Sequence, residues 1–353
     1  MRKKHLTFIH RIQLSCANRF LVHKQHAFIC DMYGSANEIH IIDLENPEEP
    51  KLIRSIPFKS AIGSVAIQNE TLYATESGRA IHKFTLEDVS DPKYSDSYVL
   101  LGYDFYDLKW NASRAILAMN WDGVGIVDLN RSNEIQPKVK QKIEKEFVKR
   151  LIPSRDRFLL TNGISEDKFL YEISVQNETV EILSKHEFPN FNPSEVFAIS
   201  NGVVLFGESK KGKKEYSSVL ILDENLQAIG EPIRFERAPN VCLSLSDGNV
   251  LFGFDYSYAL FDRLQHTIVP LFQQFEYGDS KEYIEVQSDR RQVDPEYDLD
   301  RYEDEERDPR LNDSYYIDSL KCAHKEGDYL FATHGESFIS FRIADDSLFQ
   351  KIL

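Results

Sequence analysis

The chain has 353 residues, 42% of them hydrophobic, and a formal net charge of −15 at pH 7. This hydrophobic share suffices for a sizeable core, whereas the charge disfavours a general nucleic-acid binder, because that class needs a basic surface to displace counterions from phosphates. No apolar run approaches the about 18 residues of a membrane span. The four cysteines show neither a CxxC pair nor a zinc-ligand spacing, which predicts reduced thiols in a cytoplasmic protein.

An apolar strand that ends in Asp-Leu and is followed by a polar turn recurs along the chain. Its clearest copy lies at 39–50, where the turn is marked by two prolines. The third residue of each core motif falls at 43, 85, 128, 172, 223, 262 and 342, in steps of 42, 43, 44, 51, 39 and 80 residues. Four-stranded repeats of roughly 40–45 residues are typical of β-propeller blades.

The strands predicted from alternation begin with one at 6–14, which is followed by six meanders of four strands and one meander of three. The meanders cover 19–58, 64–101, 106–144, 149–188, 195–235, 240–275 and 318–343. We therefore predict an all-β fold, a single seven-bladed β-propeller over 1–353, with an acidic loop insertion at 276–317 between blades six and seven. A β-sandwich or two β domains is the alternative. Strand 6–14, the C-terminal 347–353 or both would complete the last blade.

Two segments, IIDLENPEEP at 41–50 and GVGIVDL at 123–129, resemble the LVIVD-type repeat of bacterial β-propellers. The resemblance covers two blades well and the others loosely. It implies the fold and little about activity, since propellers host many unrelated functions. Other propeller families match poorly: the Trp121-Asp122 dipeptide lies in the turn before a third strand, not at that strand's end.

One face of the predicted propeller collects the turns between second and third strands and the connections between blades. The acidic insertion belongs to this face, and its segment 276–313 holds 15 acidic and 6 basic residues, a net charge of −9. Tyrosines interleaved with carboxylates suit an interface with a basic partner. The alternative is a solvated segment that keeps the protein soluble.

A Trp at the centre of a tight Asn-Trp-Asp-Gly turn is hard to explain as a core residue, and Trp and Arg dominate binding hot spots. Residues on this face with aromatic or charged side chains are our candidates for partner binding. They are Trp121, Asp122, Tyr33, Arg79, Tyr256, His334, Tyr297, Tyr302, Glu303, Asp304, Glu305 and Glu306.

The sequence thus predicts a monomeric, non-enzymatic protein that binds a basic protein partner and needs no metal or cofactor, no nucleic acid and no membrane. A sharper hypothesis is an immunity or neutralising protein whose acidic loop masks a basic site of a toxin or effector. The alternative is an enzyme acting on a small polar or sugar-like substrate at the channel mouth. That enzyme would need converging His and carboxylate side chains, and the sequence shows no nucleophile elbow or phosphate loop.

Overall fold

The chain folds into β-strands, and the part that the computed structural model describes contains 28 strands and no helix. Described are residues 6–15, 17–30, 37–100, 103, 105–111, 114–129, 139–141, 147–148, 150–154, 156–162, 168–176, 179–211, 214–235, 239–244, 250–253, 258–262, 267–272, 320–334 and 337–343. No helix in these ranges is long and apolar enough to span a membrane.

The N-terminal strand β1 (Leu6–Gln13) is followed by six antiparallel sheets, each made of four strands consecutive in sequence. The first sheet comprises β2 (Arg19–His23), β3 (His26–Cys30), β4 (Glu38–Asp43) and β5 (Lys51–Pro57). The second comprises β6 (Ile62–Gln68), β7 (Thr71–Glu76), β8 (Ala80–Thr85) and β9 (Lys93–Val99). The third comprises β10 (Asp107–Asn111), β11 (Arg114–Ala118), β12 (Val124–Val127) and β13 (Val139–Gln141).

The next three sheets follow the same plan, with the strand nearest the N-terminus at one edge and the last strand at the other. The fourth comprises β14 (Ile152–Ser154), β15 (Arg157–Thr161), β16 (Leu170–Gln176) and β17 (Thr179–His186). The fifth comprises β18 (Phe191–Ile199), β19 (Gly202–Lys211), β20 (Lys214–Leu222) and β21 (Ile233–Arg234). The sixth comprises β22 (Val241–Ser244), β23 (Val250–Gly253), β24 (Tyr258–Asp262) and β25 (Thr267–Phe272).

The seventh sheet of the described residues joins the two ends of the chain. It contains β26 (Leu320–Glu326), β27 (Tyr329–His334) and β28 (Ser337–Ile343), with β1 as its outer strand. β1 pairs antiparallel with β28, from Leu6 opposite Ile343 to Gln13 opposite Ser337. Of the two strands that the sequence offered for this position, 6–14 therefore pairs here, while 347–353 lies outside the described residues.

The sheets follow one another in a circle. The inner strands β2, β6 and β10 contact one another in turn, and β12 and β13 of the third sheet contact β17 of the fourth. β14 and β15 then contact β18, β18 contacts β22, and β22 contacts β26. The circle is completed where β26 contacts β2. A ring of four-stranded antiparallel sheets is a β-propeller, so the predicted propeller fold is confirmed.

The hydrophobic core lies between neighbouring sheets, because both faces of a sheet in the ring are covered. In β7, Leu72 and Ala74 pack against the first sheet, whereas Tyr73, which points the other way, packs against the third. Central strands are accordingly buried along their length, and all four residues of β12 are buried. Outer strands are not, and six of the seven residues of β5 lie at the surface. Each fully buried aliphatic or Phe side chain contributes about 1.5–3 kcal/mol.

The recurring Asp-Leu motif holds the two turns at one end of a sheet together. Leu44 follows β4, is buried, and donates its N–H to the carbonyl oxygen of Gln25 in the turn before β3 (2.8 Å). Leu86 repeats this after β8, with its N–H on the carbonyl oxygen of Glu70 (3.0 Å). In the first two sheets the motif thus supplies a buried apolar side chain and a backbone hydrogen bond that joins the two turns.

Candidate functional site

The loop face of the propeller is the end that carries the turns between second and third strands and the connections between sheets. Its described parts near the predicted site are the turns 77–79 and 119–123, the connection 58–61, and residues 147–148 and 150–151 of the connection before the fourth sheet. Trp121, Asp122 and Arg79 all lie on these turns. The structure therefore places the described candidates at one end of the propeller, on the second and third sheets.

Trp121 is exposed but held in place. It follows Asn120, whose backbone has the left-handed φ of 52°, and the turn ends at Gly123, with φ of 79°. The N–H of Asp122 donates to the carbonyl oxygen of Met119 (2.9 Å), and the N–H of Gly123 donates to that of Asn120 (3.2 Å). Asn and Gly are the residues that adopt positive φ at least cost. The sequence NWDG thus builds the tight turn, and the indole remains 55% exposed.

Two aromatic side chains extend the Trp121 surface. The ring of Phe147, in the connection before the fourth sheet, meets the indole edge to face at 5.4 Å between centroids. Phe147 also lies 5.8 Å from the ring of Tyr106. Antiparallel backbone bonds between Asn120 and Val148 (3.0 and 3.1 Å) fix this connection to the turn. The three rings form a preorganised aromatic patch across the boundary of the third and fourth sheets.

Arg79 projects from the turn of the second sheet and borders a buried carboxylate. Its Nε lies 3.8 Å from Oε2 of Glu76. Glu76 Oε1 accepts the backbone N–H groups of Lys59 and Ser60 (2.8 Å each), and Oε2 pairs with Nε2 of His82 (2.8 Å). Burial raises the pKa of the Glu76 carboxyl, but the bonds from His82 and the two N–H groups outweigh it, so the pKa lies below its usual value.

Two arginines lie at the channel mouth. Arg19, at the start of β2, donates to the carbonyl oxygen of Tyr106 (3.0 Å). Arg150, ahead of β14, donates to Oε2 of Glu195 (3.5 Å) and stacks 5.2 Å from the ring centre of Phe197. Burial lowers the pKa of the Arg150 guanidinium and the positive charge of Arg19 lowers it further, while Glu195 opposes both. These side chains join inner strands of different sheets.

The buried Asp107 at the same mouth has structural partners. Its Oδ1 accepts the backbone N–H of Leu108 (3.1 Å) and the ammonium of Lys109 (2.9 Å), while Oδ2 accepts the N–H of Leu151 (3.0 Å). The carboxylate therefore joins the third sheet to the connection that enters the fourth. Across the described ranges, no three His, Cys, Asp or Glu side chains lie close enough together to hold a metal ion.

Most of the predicted partner-binding residues lie outside the described part of the structure. His334 ends β27, where its backbone pairs with Ser337, but its side chain is outside the described part of the structure. The same holds for every atom of Tyr33, Tyr256, Tyr297, Tyr302, Glu303, Asp304, Glu305 and Glu306, and for the rest of the acidic insertion. Their roles stay predictions.

A groove that the sequence reasoning missed runs between the first and second sheets. It encloses about 570 Å³. Its lining residues come from the end of β5 and the connection after it, the end of β7 and the turn that follows, and one face of β8 and β9. They are Ile56, Pro57, Phe58, Lys59, Glu76, Arg79, Ala80, His82, Phe84, Tyr94, Ser97 and Val99. A signal existed in the sequence, because Ile39-His40 and Ile81-His82 recur on third strands, each followed by a Ser 15 residues after the His.

No protein-family model and no curated protein sequence matches the chain. Solved structures do resemble it. The WD40 β-propeller domain of Doa1 aligns over 98% of this chain and 99% of that chain, at 10% identity and a TM-score of 0.61. The Neurospora crassa Pan2 WD40 domain aligns over 98% of this chain and 97% of that chain, at 8% identity and a TM-score of 0.64. A chain of the mitotic checkpoint complex aligns over 98% of this chain and 94% of that chain, at 8% identity and a TM-score of 0.64. At these identities the likeness shows the fold alone.

Proposed function

We propose that the chain is a non-enzymatic, protein-binding β-propeller, with its seven four-stranded sheets as the blades of one ring and the loop face as its docking surface. The observation that carries this proposal is Trp121. A large aromatic ring is left 55% exposed on a turn fixed by backbone hydrogen bonds. Such a ring loses little conformational entropy on binding, and Trp is enriched among the residues that dominate interface energies.

The finer part of the proposal concerns the partner. The segment 276–313, with its net charge of −9, joins β25 to β26, and connections of this kind emerge on the loop face. A dense negative charge there attracts a basic surface and raises the rate of encounter. We therefore propose a monomeric, cytoplasmic immunity or neutralising protein that masks a basic site of a toxin or effector. The LVIVD-type resemblance and the enzyme alternative stay predictions.

The partner is to be found by affinity purification of the full chain from its native host, with mass spectrometry of the proteins retained. Surface plasmon resonance on that partner then compares the protein with Trp121→Ala. We expect the substitution to cost about 2 kcal/mol or more of binding free energy, mainly through faster dissociation. Leu183→Ala is the matched control, because Leu183 is 48% exposed on the outer strand β17.

Both variants should unfold at the temperature of the unaltered protein, since neither side chain is buried. Unchanged association and dissociation rates for Trp121→Ala would place the docking surface elsewhere. Equal losses for Trp121→Ala and Leu183→Ala would show adhesion through any exposed apolar side chain instead of docking on the loop face.

A further inference from the structure

The groove between the first and second sheets has a floor made of three cross-strand pairs. Ala80 lies opposite Val99, His82 opposite Ser97, and Phe84 opposite Tyr94. All six side chains point to one face of the sheet, toward the end of β5. From Val99 to Tyr94 the strand β9 advances five residues, or about 16 Å. The floor is therefore long and narrow, like a channel for an extended chain.

One end of the groove is aromatic and open. The ring of Phe84 meets Tyr94 edge to face at 5.7 Å and Phe58 at 6.2 Å between centroids. Phe58 also lies 5.1 Å from the imidazole of His82. Tyr94 nevertheless keeps 58% of its surface exposed, and Val99, at the other end of β9, is exposed as well. Phe84 is buried in the core between the first two sheets, so Tyr94 supplies the aromatic surface that is left open for a ligand at this end.

The equivalent position of the first sheet, at His40, is buried. An open groove is therefore not a general consequence of the propeller fold. There His40 lies opposite Ser55, as His82 lies opposite Ser97. The side chain of His40 is 4% exposed and has the hydroxyl of Ser15 3.1 Å from its Nε2, whereas that of His82 is 17% exposed. The second sheet thus carries a specific opening.

The other end of the groove is positively charged toward a ligand. Glu76 is the only carboxylate among the groove's lining residues. Its oxygens already accept two backbone N–H groups and pair with His82, and Arg79 Nε lies 3.8 Å from Oε2, so one carboxylate faces two cations. Lys59 and Arg79 are exposed at this end, and no described carboxylate pairs with Lys59. A chain with a net charge of −15 therefore presents two cations at one end of an aromatic groove.

We propose that this groove binds an extended peptide segment of a partner protein, with a carboxylate side chain against Lys59 and Arg79 and a Phe or Leu against the exposed ring of Tyr94. Side chains four residues apart in an extended segment point the same way and lie about 13 Å apart, which fits the floor.

This inference goes beyond the docking surface at Trp121, because the groove runs down the side of the second sheet and shares only Arg79 with the loop-face candidates. The two proposals can fail separately. A variant of the groove should leave the aromatic patch of Trp121 intact, and Trp121→Ala should leave peptide binding intact.

The test uses fluorescein-labelled pentapeptides and fluorescence anisotropy with the full chain. Glu-Thr-Val-Thr-Phe and its reverse, Phe-Thr-Val-Thr-Glu, cover both directions of the segment, and each has a counterpart with Lys in place of Glu. We expect saturable binding in one direction, weakened about tenfold or more by Lys, by Tyr94→Ser and by Lys59→Ser combined with Arg79→Ser. Leu183→Ser and Trp121→Ala should change nothing.

All these substitutions affect exposed side chains, and circular dichroism will show that the variants stay folded. The proposal is overturned if neither direction binds more tightly than its Lys counterpart. It is equally overturned if the preferred peptide retains its affinity in Tyr94→Ser or in the double variant. Tighter binding of a Lys peptide would point to a basic ligand and contradict the charge argument.

Discussion

Glu76 joins two sheets through a single buried side chain. Its partners are the backbone of Lys59 and Ser60, in the connection from the first sheet, and the imidazole of His82 within its own sheet. A carboxylate in this position satisfies two N–H groups of a partly buried connection, and leaving such groups without a partner is costly to the extent that they are buried. The charge of Glu76 is thus part of the fold, even though the groove that it borders is our candidate binding site.

We predict that Glu76→Gln lowers the free energy of unfolding by about 1–3 kcal/mol at pH 7, because the amide weakens bonds made to a charged acceptor. The folded-state pKa of Glu76 is lowered, so its stabilising contribution is complete above the unfolded value of about 4.3. It declines as pH falls below that value, through the folded pKa. The difference between the two proteins should therefore shrink in acid.

Urea unfolding at pH 7, 5 and 4 measures this difference, with Glu181→Gln as the control. Glu181 is exposed on β17, and neutralising it should change stability little at any of these pH values. A Glu76→Gln difference that stays constant with pH would mean that the carboxylate's charge is not what holds the connection.

At this scale the sequence predicts what is local. The Trp121 turn can be predicted from the sequence, because the left-handed residues Asn120 and Gly123 lie within four consecutive residues. The partners of Glu76 cannot be, because Lys59 and Ser60 reach it from another sheet. Their N–H groups carry no side-chain signature, so no pattern of residue types announces the bond.

Among the elements, β9 shows why the groove escaped sequence analysis. Strict alternation would put Tyr94 on the face of Asp96 and Tyr98, away from Ser97 and Val99. A β-bulge shifts the pairing between Lys83 and Phe84, and this single extra residue turns Tyr94 to the face of Ser97. Bulges depend on local backbone strain and on the neighbouring strand, so the residue pattern of β9 alone does not reveal this one.

The strand β1 is the second element whose placement needed the structure. The alternation at 6–14 predicts a strand, but its pairing partner β28 lies more than 300 residues away, and two segments were equally suited. In the structure, side-chain contacts attach β1 to the seventh sheet. Arg11 Nε donates to the hydroxyl of Ser337 (2.7 Å), and the buried Leu14 joins Phe331 and Phe338 in the core between the seventh and first sheets.

We predict that deleting residues 1–14 destabilises the whole domain. The loss includes about 1.5–3 kcal/mol for the burial of Leu14 and about 1 kcal/mol for each ladder hydrogen bond, against a typical total of 5–15 kcal/mol. The exposed edge of β28 should also promote self-association. Deleting residues 1–5 is the control, since it leaves β1 whole. Urea unfolding and gel filtration would contradict the role of β1 if the longer deletion stayed monomeric and equally stable.

At the scale of the whole molecule, most of the net negative charge and the β-sheets belong to different parts of the chain. The described sheets bury apolar side chains on both faces, and their repeats could be read from the sequence because each sheet needs the same apolar strands and turns. The segment 276–313 contributes −9 of the net charge of −15 without any such pattern. Charge of this kind acts on the approach of a partner, over a Debye length of about 8–10 Å, more than on the docked complex.

We therefore predict that replacing Glu303, Asp304, Glu305 and Glu306 by their amides slows association with a basic partner and flattens its salt dependence, while the dissociation rate stays the same. The control changes the net charge equally at the opposite end of the propeller, with four amides in exposed turns between third and fourth strands: Glu45→Gln, Glu87→Gln, Glu224→Gln and Glu231→Gln. Surface plasmon resonance at two salt concentrations compares the two. Equal slowing would assign the effect to net charge alone. Only the acidic segment should matter, because charges that steer a partner act from the side on which it docks. No slowing in either variant would mean that the acidic segment serves solubility alone.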